Sequence, residues 1–133
     1  MKTITITIFL LLSLVGTAQH LYFSDVHLFD VDKEGHVLSH SFPYTNIELK
    51  VEDSLIHYTE INSCGTIVDE RTYTVIKREY ENKFNYYTAE LDGVTYEIGL
   101  PTKNKWMISI EEIGNPRVRL ISARNKYLVK GEN

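Results

Sequence analysis

Apolar and polar residues alternate with a period of two along most of this chain, the pattern of strands that bury one face. Ile47, Leu49 and Val51 alternate with Glu48, Lys50 and Glu52, and Val94, Tyr96, Ile98 and Leu100 with Thr95, Glu97 and Gly99. Trp106, Ile108 and Ile110 alternate with Met107, Ser109 and Glu111, and Val118 and Leu120 with Arg117 and Arg119. Turn formers separate the runs. Asp92-Gly93, between Tyr86–Leu91 and Val94–Leu100, is a strong hairpin signal because both residues accept positive φ. Lys33-Glu34-Gly35, Ser63-Cys64-Gly65 and Gly114-Asn115-Pro116 punctuate other runs, and Pro101 to Lys105 breaks one more. Lys77 to Asn85 follows no period cleanly and reads as a strand extension, a bulge or a short helix. The spacing predicts an all-β domain: an antiparallel meander of about eight or nine strands, closed as a small barrel or folded as a barrel-like sandwich.

The N-terminus follows a different rule. Lys2 precedes an apolar run, Ile8 to Leu12, that continues to Val15, and Gly16 and Ala18 supply small residues at the −3 and −1 positions. This order predicts a cleavable signal peptide over residues 1–18, cut before Gln19. The run is shorter than the about 20 apolar residues that span a bilayer. Its ending, Thr17-Ala18-Gln19, resembles signal peptides of Gram-negative exported proteins, and no cysteine follows as a lipid acceptor. The expectation is a free periplasmic or secreted protein without stable membrane insertion. Residues 19–133 would form one domain with a mobile C-terminal tail. In architecture alone, such a chain resembles the exported meander barrels of the lipocalin and calycin group. The usual Gly-x-Trp of their first strand is absent, and Trp106 comes late.

Composition narrows the classes further. The formal charge is −4, which argues against a general nucleic-acid binder. Acids crowd between Asp25 and Glu70, and Arg117 to Lys130 is basic. The single cysteine, Cys64, cannot form an internal disulfide. A domain of this size must therefore stand on burial of roughly two-thirds of its unfolded surface.

Candidate chemistry is sparse. Asp30, Asp32, Glu34 and Gly35 resemble the first half of an EF-hand calcium loop, but Ser41 stands where the closing acid belongs, and the same residues suit a hairpin turn. His36 and His40 would lie roughly 13 Å apart on one strand, too far to share an ion. His27 and His57 could join a site only through folding. His20 would resemble the N-terminal histidine of copper enzymes only if cleavage fell after Gln19. No nucleophile elbow, Ser-x-x-Lys or phosphate-binding glycine loop is present. The expectation is therefore a non-catalytic binding protein without metal or cofactor. Tyr73, Tyr86, Tyr96 and Trp106 are the candidate ligand-binding residues, since amphipathic rings grip apolar ligands and partners. The ligand would be a small apolar or amphipathic molecule or a protein partner. Two other readings stay open: an envelope interaction module that uses an exposed sheet face, and a small hydrolase with residues gathered from several strands.

Overall fold

A computed structural model describes residues 19–102 and 107–128. The expected signal peptide and the tail from residue 129 lie outside the described residues. Nine strands follow one another: β1 (Gln19–Val31), β2 (Val37–Ser41), β3 (Thr45–Val51), β4 (Leu55–Asn62), β5 (Ile67–Glu81), β6 (Phe84–Leu91), β7 (Val94–Pro101), β8 (Met107–Glu112) and β9 (Val118–Leu128). All pairings are antiparallel, and β9 returns to β1, from Leu21↔Leu128 to Val31↔Val118. The result is a closed eight-stranded barrel plus one extra strand, β2. Of the two architectures open from sequence, the molecule takes the barrel.

Turn chemistry sets the register. Asp92 and Gly93 both take positive φ, 51° and 79°, and Leu91 pairs with Val94 across them. The ambiguous stretch Lys77 to Asn85 resolves into a strand extension. It carries a bulge between Val75 and Lys77 and a two-residue turn at Asn82-Lys83, both left-handed at 51° and 67°. Asparagine and a small loop accept this geometry, whose twist suits a hairpin.

β1 serves two neighbours on one side. Residues up to Phe23 pair with β3, and residues from Leu28 pair with β2. At the changeover Asp25 is left-handed, φ 51°, and its N–H donates to Asn46 Oδ1 at 3.1 Å. The inward phase switches there, from Leu21 and Phe23 to Val26 and Leu28. Tyr44, also left-handed at φ 59°, marks the matching bend before β3.

The interior is filled by Phe23, Ile47, Ile56, Tyr73, Ile98 and Ile121, all essentially inaccessible. The outer wall carries Glu48, Lys50, Thr72, Thr88, Glu97 and Ser109 in the alternate positions. On this wall Gly99 lies between Tyr86 and Ser109 in the cross-strand register. A Cβ on Gly99 would meet Ser109 Oγ at 2.5 Å and the Tyr86 ring at 3.0 Å. The tyrosine covers the space that the missing side chain leaves. Gly99→Val should therefore destabilise by about 1–3 kcal/mol, as overpacking does. In urea unfolding the midpoint should fall without a change in slope.

Strand directions alternate, so the connections at residues 32–36, 63–66, 92–93 and 113–117 gather at one end. Gln19, Leu128 and the turns at 52–54 and 82–83 lie at the other. At this second end, Thr102 ties the β5–β6 turn by donating its N–H (3.0 Å) and its hydroxyl (2.9 Å) to the Lys83 carbonyl.

Candidate functional site at the barrel mouth

Along five of the strands the inward-facing residues change character toward the end away from Gln19. β1 runs Val26, Leu28, Asp30, and β4 runs Ile56, Tyr58, Glu60. β8 runs Ile108, Ile110, Glu112. Read in reverse chain order, β5 runs Tyr73, Arg71, Asp69, and β9 runs Ile121, Arg119. An apolar plug thus gives way to a charged layer, and above the plug lies a cavity of about 340 Å³. Tyr58, Arg71, Tyr96, Glu112, Arg117 and Arg119 are among the residues that line it, with Asp30 and Glu60.

Half of the six lining charges, Asp30, Arg71 and Arg119, are already committed. Arg119 makes a two-pronged contact with Asp30: Nε donates to Oδ1 at 2.8 Å and Nη2 to Oδ2 at 3.2 Å. Ser39 of β2 donates to the same carboxylate at 3.1 Å. The Arg119 hydrogen bond holds the Asp30 carboxyl below its ordinary pKa, against the opposing effect of partial burial. Arg71 donates from Nε to Asp69 Oδ2 at 3.0 Å and from Nη1 to the Tyr73 hydroxyl at 3.3 Å, and it lies 5.3 Å from the centre of the Tyr58 ring. Burial works against the Arg71 charge, but the bonds to Tyr73 and Asp69 outweigh it and raise its pKa. The Tyr58 hydroxyl donates to Glu60 Oε1 at 3.2 Å. Burial, then the Glu60 charge, pushes that phenol well above its usual pKa, so it stays a donor at any ordinary pH.

The Asp30–Arg119 pair links the first and last strands at the rim, and its sign with pH follows from the lowered pKa. A carboxylate with a depressed folded-state pKa stabilises fully above its unfolded pKa of about 3.9 and loses that contribution as pH falls through the folded value. Wild type should exceed Asp30→Asn in stability by a constant margin above about pH 5, and the margin should shrink below about pH 4. Urea titrations of both proteins across that range check it.

The candidate ligand-binding residues go different ways. Tyr73 is buried at the base of the mouth and packs edge-on against Tyr96, with ring centroids 5.5 Å apart. Tyr96 lines the cavity itself. Tyr86 stands on the outer wall over Gly99, stacked beside Phe84 at 5.9 Å. Trp106 lies outside the described residues. The acidic run at the first hairpin is divided: Asp30 turns into the mouth, whereas Asp32 accepts the N–H groups of Glu34 and His36, both at 2.9 Å, closing the turn. The His36 backbone bond keeps the Asp32 pKa low. Donor atoms of Asp32, Glu34 and His36 lie within 4.8 Å of one another. Cys64 is exposed, and its N–H donates to Asn62 Oδ1 at 3.0 Å in the β4–β5 turn. None of the described histidines lines the mouth. His27 Nδ1 instead meets His40 Nε2 at 3.0 Å on the outer wall, His20 Nε2 meets Glu48 at 2.9 Å, and His57 Nδ1 meets Thr72 at 3.2 Å.

Fold and site together define a class: a closed meander barrel with a plugged apolar interior and a charged, tyrosine-bearing mouth. No protein-family model matches the chain, and no curated protein is significantly similar to it.

Proposed function

We propose that the protein binds a small polar ligand in the mouth of the barrel and acts as a non-catalytic carrier or sensor outside the cytoplasm. The cavity above the apolar plug carries the reading. At about 340 Å³ it sits at the lower end of the range for small-molecule sites, roughly 300–1,000 Å³. Its lining shifts the expected ligand from apolar to polar: rings of Tyr58 and Tyr96 are offered beside three arginines and three carboxylates. A long apolar ligand has no room below, where Tyr73, Phe23 and Ile98 fill the barrel. The placement outside the cytoplasm is supported by the charged, apolar and small-residue order of residues 1–18.

Native mass spectrometry of the full chain, expressed with its leader and purified without denaturation, tests both parts. The expected species begins at Gln19 and carries an added small mass that is released on unfolding. A bare monomer, with no ligand shifting the resonances of Tyr58 and Tyr96 in solution, would remove the binding reading. An uncut N-terminus would remove export.

A second reading is favoured by one observation on the outer wall of β1 and β2. His27, Phe29, His40, Phe42 and Tyr44 form a continuous row of rings: Phe29 stacks on His40 at 4.4 Å, and Phe42 contacts His27 and Tyr44, each at 4.5 Å. Such a row suits a protein partner and would make the molecule an interaction module. A monomer that captures no partner after substitution-free crosslinking in its own envelope would count against it.

A further inference from the structure

Resting on the mouth as a small-ligand site, we infer that its ligand is a small cationic zwitterion: a molecule with two ammonium groups and one carboxylate, of the basic amino acid type. The charges of the lining decide this. Arg119 is neutralised by Asp30, and Arg71 by Asp69. Three lining charges then remain without an ion pair among the described residues. Glu60 accepts only the neutral Tyr58 hydroxyl. Glu112 accepts only the Asn115 amide, at 3.1 Å. Arg117 uses its backbone N–H on Asn115 Oδ1 at 2.9 Å and leaves its guanidinium to the cavity rim, where it also faces Asp30.

Their placement follows from the strand order. In the ring of eight, β8 lies four strands on from β4, so Glu60 and Glu112 stand on opposite walls of the mouth. A metal ion with oxygens at roughly 2.3–2.6 Å needs several donors gathered around one point. Among the described residues, the group of three metal-type donors within reach of one another is at the hairpin tip, not here. An extended organic molecule with a cation at each end does reach both. Arg117 would take an anionic group of the same molecule, as guanidinium takes a carboxylate in a planar fork. Tyr58, on the strand of Glu60, and Tyr96, paired with Glu112, also line the cavity, and their rings would cover the methylene chain of such a ligand.

Isothermal titration of the mature protein with lysine, 1,5-diaminopentane and norleucine tests the assignment. The second probe lacks the carboxylate and the third lacks the side-chain ammonium. Lysine should bind about tenfold or more tightly than either. Glu60→Gln and Glu112→Gln, which keep shape and should leave the circular dichroism unchanged, should each weaken lysine about tenfold, and Arg117→Gln should bring lysine down to the level of the diamine. The dipeptide Lys-Gly carries the same three charges on a longer frame; tighter binding than lysine assigns the site to a peptide end, and weaker binding assigns it to the free amino acid. Norleucine equal to lysine, or Gln variants without effect, would overturn the charge assignment. If an uncharged probe shifts the Tyr96 resonances while lysine does not, the small-ligand reading survives and this inference fails. If no probe binds, both fail.

Discussion

Tyr73→Ala should cost about 3–5 kcal/mol, the range for removing a large ring from a packed core. Against a total stability of about 5–15 kcal/mol for a domain, that is a third or more. Tyr73 is completely inaccessible, and two neighbours depend on it. Tyr96 rests edge-on against its ring, and Arg71 donates to its hydroxyl. Truncation therefore removes the floor of the mouth together with one acceptor of a half-buried cation. Tyr73→Phe separates the two contributions. It keeps the ring and should cost only about 1 kcal/mol, the net worth of one hydrogen bond, since Arg71 retains Asp69. Urea unfolding should place the three proteins in the order wild type, Tyr73→Phe, Tyr73→Ala. Burial raises the Tyr73 phenol pKa against the opposing bond and charge of Arg71, so the order should hold across the neutral range.

Phe23→Ala is expected to cost a similar about 3–5 kcal/mol, with a different distribution. Phe23 is the last inward residue of β1 before the phase switch at Asp25, and it is completely inaccessible. It sits where β1 pairs with Ile47 of β3 on one side and with Lys126 of β9 on the other. A hole there weakens the barrel at its closure. Hydrogen exchange should accelerate in β1, β3 and β9 before it does in the β5–β6–β7 hairpins, which are held by local turns. Uniform loss of protection across all strands would show that the seam does not open separately.

Much of this architecture is legible in the residue pattern. Turn residues that accept positive φ, above all Asp92-Gly93 and Gly35, locate the hairpins because few other residues tolerate that backbone. Alternation in β3, β7 and β8 identifies the inward face correctly. It misleads in β9. There Val118 and Leu120 look like the buried set, yet Arg119 and Ile121 face inward beside Ile110 and Ile108. Period two defines two faces but not which one is inside. The closed register decides that, through pairing with strands distant in sequence. The mouth was hidden for the same reason. Asp30, Glu60, Arg71, Glu112 and Arg119 each look like the ordinary polar end of a strand. The usable signal was joint: in several strands the same inward phase ends in a charge, always at the same end of the barrel. Tyr73 and Tyr96 stood out as rings, but only the β5 and β7 registers put them together and sent Tyr86 to the outer wall.

The seam between β1 and β9 has a kinetic consequence. Every other pairing in the barrel joins strands close along the chain, but Leu21 must find Leu128. Contacts of such long range slow folding, because chain entropy is lost before the contact repays it. The ring cannot close until its last strand is available. A chain that emerges N-terminus first would leave β1 with one bare edge until β9 followed, so the arrival of β9 would commit the whole barrel to its native state.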